Sequence, residues 1–287
     1  MSIHMNKLLI KTAKNHTISV TEFICSKKPK SSILICSATG VKQELYQKFS
    51  DFLRQKNFNV YTFDYTGIGS SRLESLKSLK TTASSWATND LETAINHVKH
   101  NNRNTGLIII GHSIGGQLIG LAPSSKLADG ILLVAAQTGY WKFWKGFNKL
   151  KMYLTWHFLI PILTSIFGYF PGKKIGSSED LPKNMALEWK KWCCSKNYLF
   201  DHHLNASQKY EEIHCPIVSF SAEDDNYAPK TTVDWLTDKY KNALTERKHL
   251  IPKELGIKSI GHFGFFRSKN KIPIWVTFLN EIEKLSK

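Results

Sequence analysis

The chain has 287 residues, 42% of them apolar, 22% charged and 12% aromatic. That is the profile of a globular protein of one large or two small domains, with enough chain to bury a core without metal or disulfide support. The net charge is +16, but five arginines stand against 34 lysines. Base reading and bidentate phosphate clamping lean on arginine, so no nucleic-acid partner is expected and the excess suits a lysine-rich genome composition or attraction to an anionic surface. The five cysteines (Cys25, Cys36, Cys193, Cys194 and Cys215) are odd in number and lack CxxC or Cys/His ligand spacing. This speaks against a disulfide framework and a zinc site; no metal or organic cofactor is expected. The first twenty residues lack the long apolar run of a signal peptide, and a cytoplasmic location is expected, peripheral to the inner membrane surface if the cap described below touches lipid.

The first half alternates strand-like and helix-like segments. Residues 7–12 and 18–26 read as an opening hairpin, and residues 32–38 (SILICSA) as a buried strand ending at Thr39-Gly40. Residues 41–57 place Leu45, Phe49, Phe52 and Leu53 on one helical face. A strand at 59–65 (NVYTFDY), a helix over 84–100, a buried strand at 105–111 and a small-residue helix from Ile114 to about Leu121 follow. The next strand is 128–137 (ADGILLVAAQ). Such alternation predicts parallel strands with right-handed crossovers, a mostly parallel, doubly wound α/β sheet.

The pattern stops between about residues 140 and 210. Five of the eight tryptophans fall there, and residues 142–196 carry ten lysines against Glu179, Asp180 and Glu188. Within it, residues 152–170 (MYLTWHFLIPILTSIFGYF) are nearly long enough to span a bilayer, but Thr155, His157, Pro161, Thr164 and Ser165 interrupt them. The expectation is a segment that lies on a membrane or lines a pocket, although the aromatics could equally serve to pack the insertion onto the core. The α/β pattern resumes with a strand at 215–222, a helix at 229–240, a strand at 244–251 and a closing helix at 273–284. The chain therefore reads as a core (1–139 and 211–287) interrupted by a helical, aromatic-rich cap (140–210) over the strand ends, where ligands of open α/β sheets bind.

The chemistry is carried by Gly111-His112-Ser113-Ile114-Gly115. A buried strand runs into this GxSxG and a small-residue helix runs out, so a sharp turn exposes the Ser113 hydroxyl above the sheet. The Ile114 amide, at the helix N-terminus, points where an oxyanion would form, and the Val41 amide in the loop after the third strand is the expected second donor. A serine needs a base oriented by an acid, in the chain order Ser, Asp or Glu, His. Asp225 follows the apolar strand at 217–222 within Ala-Glu-Asp-Asp-Asn-Tyr-Ala-Pro, with Asp224 an open alternative and Glu223 a poor one. His262, among glycines just before the last helix, is the expected base; His202, His203 and His249 are weaker alternatives, and His112 should point away.

GHSIGG, DYTGIGSS, AEDDNYAP and GHF, in this order between Ser31 and His262, resemble the α/β-hydrolase superfamily. More narrowly, the sequence is similar to predicted bacterial hydrolases of the serine aminopeptidase and monoacylglycerol lipase-like branch. That similarity rests on its Ala38-Thr39-Gly40 loop, its tryptophan-rich cap with GYFPG at 168–172 and Leu181-Pro182, and its GHFGFFR ending. The resemblance implies an α/β-hydrolase fold with Ser113 as nucleophile, Asp225 as orienting acid and His262 as base. Thr66, where related chains usually carry arginine, and Thr39-Gly40, where many carry His-Gly, depart from the pattern. The expected activity is hydrolysis of a small-molecule carboxylic ester, lipophilic or acyl in character, through an acyl-enzyme. The alternatives are acyl transfer by the same triad, or a non-catalytic membrane- or anion-binding module.

Overall fold

A computed structural model describes residues 5–286; residues 1–4 and 287 lie outside the described residues. Strands β1 (Asn6–Lys11), β2 (Thr17–Phe23), β3 (Ser31–Cys36), β4 (Asn59–Phe63), β5 (Gly106–His112) and β6 (Gly130–Val134) come from the first part of the chain. A two-residue ribbon, β7 (Tyr169–Phe170) and β8 (Leu181–Pro182), lies in the insertion, and β9 (Ile217–Ala222) and β10 (Thr245–Leu250) complete the sheet. The eight-stranded order is β1-β2-β4-β3-β5-β6-β9-β10. Only β2 runs against its neighbours; every pairing from β4 to β10 is parallel.

The apolar strands are buried on both faces, as parallel strands covered by helices must be. Leu107, Ile109, Ile131 and Leu133 turn to one core, and Ile108, Ile110, Leu132 and Val134 to the other. This is the two-residue period of an extended chain dividing one hydrophobic run between two layers. Helices α1 (Gln47–Arg54) and α10 (Val276–Leu285) cover the second face. On the first lie α2 (Ala83–Ser85) and α3 (Glu92–Asn101), joined by a π turn at Trp86–Leu91, together with α4 (Ile114–Ile119).

The insertion forms α5 (Gly146–Leu154), α6 (Ile160–Phe167), α7 (Lys183–Cys194) and α8 (Ala206–Glu211), and α9 (Lys230–Thr237) follows β9. A π turn at Thr155–Leu159 makes α5 and α6 one helix over 146–167. The cap packs into the first core through Trp144, Trp156, Met185 and Trp192. Polar bonds also tie it down. Glu188 accepts hydrogen bonds from the Ser84 amide and hydroxyl at 2.7 and 2.9 Å, and the Trp144 indole donates to the Asn226 carbonyl at 2.8 Å.

Candidate active site

The site begins at the turn from β5 into α4. Ser113 adopts φ 54° and ψ −122°, a backbone region hostile to any residue with a Cβ. The turn holds because it is locked: the Ser113 amide donates to Val134, and its carbonyl accepts from Gly116 and Gln117. Close packing explains the flanking glycines. A Cβ on Gly111 would lie 2.4 Å from the Gly116 Cα, and one on Gly115 would lie 2.3 Å from the Cys36 carbonyl oxygen. Strand, turn and helix can approach this closely only without side chains there.

Ser113 and His262 line a cavity of about 420 Å³ beneath the cap. No hydrogen bond joins the two among the described residues, a looseness common in catalytic pairs before substrate tightens them. The His262 Nδ1 and a carboxylate oxygen of Asp225 are 2.8 Å apart, with both side chains almost wholly buried. The other Asp225 oxygen accepts from the Tyr227 and Ala228 amides at 2.8 and 3.0 Å, so the carboxylate is fixed on both sides. Asp224 does something different. Its two oxygens accept from the Ile260 and Gly261 amides, both at 2.9 Å, and so hold the loop that delivers His262. The two acids that sequence left open are thus separated by geometry: Asp225 faces the imidazole, and Asp224 faces its backbone.

The expected oxyanion donors fare differently. The Ile114 amide stands at the first turn of α4 with no acceptor among the described residues. The Val41 amide instead closes a tight turn onto the Ala38 carbonyl at 3.1 Å, and Val41 does not reach the cavity. Ala38 and Thr39 line it, and the Thr39 amide has no acceptor among the described residues. The turn that spends the Val41 amide on Ala38 leaves the amide two residues earlier, that of Thr39, without an acceptor among the described residues. Of the other histidines, His249 is bonded to the Ser221 hydroxyl, His202 to the Ser195 hydroxyl, and His203 faces Glu188 at 3.8 Å. None of these three lines the cavity.

Sequence reasoning missed the layer behind the site. His112 points away from the cavity, but its Nε2 lies 2.9 Å from the His262 carbonyl oxygen and its Nδ1 lies 2.8 Å from the Tyr46 hydroxyl. Burial holds His112 well below its ordinary pKa, and it is therefore neutral. A carbonyl only accepts, so Nε2 carries the proton and the Tyr46 hydroxyl donates to Nδ1. That hydroxyl accepts in turn from the Ala38 amide at 3.0 Å. One buried relay thus ties the loop at Ala38 to the backbone of His262. A second chain links cap and core: the Trp189 indole donates to Tyr198, Tyr198 to Gln117, and Gln117 to Gln137. Thr66 donates by amide and hydroxyl to the buried Asp90 at 2.7 and 3.0 Å.

Most of the remaining cavity surface is apolar, with Gln137, Thr155, Ser177 and Ser178 adding polar groups. Trp144, Met152, Trp156, Ile160, Phe170 and Leu181 form its wall, and Lys151 stands at its rim above the Tyr227 ring. No Asp or Glu lines it.

Residues 27–175 match the family described as serine aminopeptidase, S33. No protein of curated function matches the sequence. The fold is similar to that of a thermostable carboxyl esterase from Bacillus coagulans, solved in complex with glycerol, at a TM-score of 0.66 and 10% identity over the whole of both chains. It is similar to a Pyrococcus furiosus esterase at a TM-score of 0.60 and 14% identity, over 99% of this chain and 91% of that one. Brefeldin A esterase, a bacterial homologue of human hormone sensitive lipase, aligns at a TM-score of 0.60 and 13% identity, over 99% and 76% of the two chains.

Proposed function

The chain belongs to the serine aminopeptidase S33 family of α/β hydrolases, and we propose that it is a serine hydrolase that cleaves a carboxylic ester of a lipophilic acyl substrate. One observation carries this reading: the strained Ser113 and the Asp225-bound His262 open into a single cavity with an apolar wall. An enzyme that takes a peptide N-terminus needs negative charge to hold the ammonium group, and the cavity wall offers none. An acyl chain asks only for apolar contact, which the tryptophans, Met152, Ile160 and Leu181 provide.

The chemistry follows from the geometry. The Ser113 hydroxyl attacks the ester carbonyl while His262 Nε2 takes its proton. The oxyanion is held by the amides of Ile114 and Thr39, which have no acceptor among the described residues. His262 then returns the proton to the departing alkoxide, leaving an acyl-Ser113 ester. Water attacks that ester as His262 takes a proton again, releasing the acid and restoring the serine. Asp225 holds the imidazole in the tautomer with its proton on Nδ1.

A fluorophosphonate probe on the full chain, read by intact mass and peptide mapping, tests this. A single adduct on Ser113 that is absent in Ser113→Ala and His262→Ala is expected. Those variants should lose at least about a thousandfold in kcat on short-chain nitrophenyl esters while melting like the parent. A folded protein that forms no adduct, with or without detergent, overturns the reading.

A further inference from the structure

One feature of the cap is not used by the catalytic site. On the helix over 146–167, Phe147, Leu150, Leu154, Phe158, Ile162 and Ile166 are all exposed, Phe147 to 79% and Ile166 to 69%. They form one stripe because of the π turn at Thr155–Leu159. An unbroken α-helix would swing Ile166 about 100° away from Phe147, whereas a π turn absorbs roughly one residue and brings it back into line. A stripe some five turns long that water covers along its length is costly for a soluble surface.

Its charge setting is one-sided. Residues 142–174 contain six lysines and no Asp or Glu. Lys142, Lys145, Lys149 and Lys151 are exposed and have no carboxylate partner among the described residues; Lys173 pairs with Glu179. The opposite face of the same helix is committed to the protein: Met152, Trp156 and Ile160 are buried and wall the cavity. The segment is long and apolar enough to cross a bilayer, yet it could not do so without removing that wall.

We propose that this helix lies flat on an anionic lipid bilayer, with the stripe Phe147–Ile166 sunk among the acyl chains and the lysines at the level of the lipid phosphates. Cationic stems can lie along apolar surface while their charges reach the headgroups, and paired apolar and basic signals give reversible anchoring. Leu159, Ile175 and Lys151 belong to both the cavity lining and the exposed surface, so the cavity mouth opens beside the stripe. In this orientation an ester leaving the bilayer enters the cavity without crossing water. Docking stands independently of the catalytic reading; this route for substrate rests on it.

Co-sedimentation of the full chain with vesicles tests the proposal, using phosphatidylcholine alone and with about 30% phosphatidylglycerol. Binding to the anionic vesicles, weakened when salt is raised to about 0.5 M, is expected. Replacing Lys142, Lys145 and Lys149 by Gln should lower partitioning roughly a hundredfold. The triple replacement Phe147→Ser, Leu154→Ser and Ile166→Ser should lower it at least about tenfold. These side chains are exposed, so both variants should melt like the parent. Ser113→Ala should bind as the parent does. Failure of the parent to bind overturns docking and leaves probe labelling of Ser113 to judge the chemistry separately. Undiminished binding by the serine triple would reduce the interaction to diffuse charge and overturn it too. So would a dimer that the serine triple dissolves, or membrane attachment that survives alkaline carbonate.

Discussion

The strand ends and the cap are built from equally apolar sequence by opposite means. In β5 and β6 each side chain is buried, successive residues going to alternate cores, and nothing is left over. In the helix over 146–167 only one side is buried, and a row of aliphatic and aromatic side chains faces out. The first pattern fixes the turn at Ser113 tightly, as the close contacts at Gly111 and Gly115 demand. The second fits a surface whose partner lies outside the chain. Precision is concentrated where β3, β5 and β9 end, and the cap leaves an apolar face uncovered.

Two adjacent carboxylates break that comparison most sharply. Asp225→Asn presents His262 Nδ1 with an amide that can favour the wrong tautomer, and kcat should fall on the order of 10⁴-fold with little change in melting temperature. Asp224→Asn loses charge-assisted acceptance from Ile260 and Gly261. It should cost about 1–3 kcal/mol in stability and a much smaller factor in kcat. Steady-state kinetics on an activated ester, paired with thermal melts, separate the two. Equal losses of kcat would mean that both acids act on the imidazole directly.

Glycines sharpen the contrast between tight core and open cap. Gly115→Ala forces a methyl group to within 2.3 Å of the Cys36 carbonyl oxygen, between β3 and α4. Backbone must move, and a loss of more than about 3 kcal/mol is expected, together with activity. Gly146→Ala in the cap meets nothing within 4 Å and suffers only from its φ of +51°. Its cost should be about 1–2 kcal/mol with kcat retained. Urea denaturation of the two variants checks the ordering, and a Gly115→Ala protein as stable as Gly146→Ala would contradict it.

The strands, the GxSxG turn and its acid and base candidates were legible because each leaves a local mark. Two-residue alternation marks strands, small residues mark close approach, and a histidine between glycines marks a delivered loop. What was not legible lies in contacts between distant segments. Tyr46 reads as one more apolar position on the face of Phe49, and nothing local says that its hydroxyl sits between Ala38 and His112. The Val41 expectation failed for a related reason: a tight turn onto the Ala38 carbonyl decides which amide is free, and Thr39-Gly40 does not announce it. The helix over 84–100 was legible as a helix, but its π turn at Trp86–Leu91, which carries the buried Asp90, was not.

Asp90 gives the core a pH response. Burial pushes its carboxyl up from 3.8 to about 7, against the lowering effect of the Thr66 and Asn89 hydrogen bonds. Between those values the folded chain holds a proton that the unfolded chain has released. This group's contribution to stability is therefore full below about pH 4 and declines as pH rises towards 7, by on the order of a few kcal/mol. Asp90→Asn stays neutral throughout, so melting curves from pH 4 to 7.5 should show the parent losing ground to the variant as pH rises. Parallel curves would remove Asp90 from that role.

The smallest expected effect tests the seam itself. Tyr198 accepts from the Trp189 indole at 2.9 Å and donates to Gln117 at 2.6 Å, linking cap helix α7 to α4 directly behind Ser113. Tyr198→Phe keeps the buried ring and leaves an indole N–H and an amide oxygen without their partner, a cost of about 1–3 kcal/mol. Ser113 is held by its own turn bonds to Val134, Gly116 and Gln117, so the nucleophile should stay in place. The cap should loosen. Trp189 lines the cavity, so the loss should appear as a higher KM for long-chain esters with kcat on short esters unchanged. A fall in kcat on short esters would mean that the cap also helps to hold the turn at Ser113, and the division between a precise core and a permissive cap would move to the far side of Tyr198.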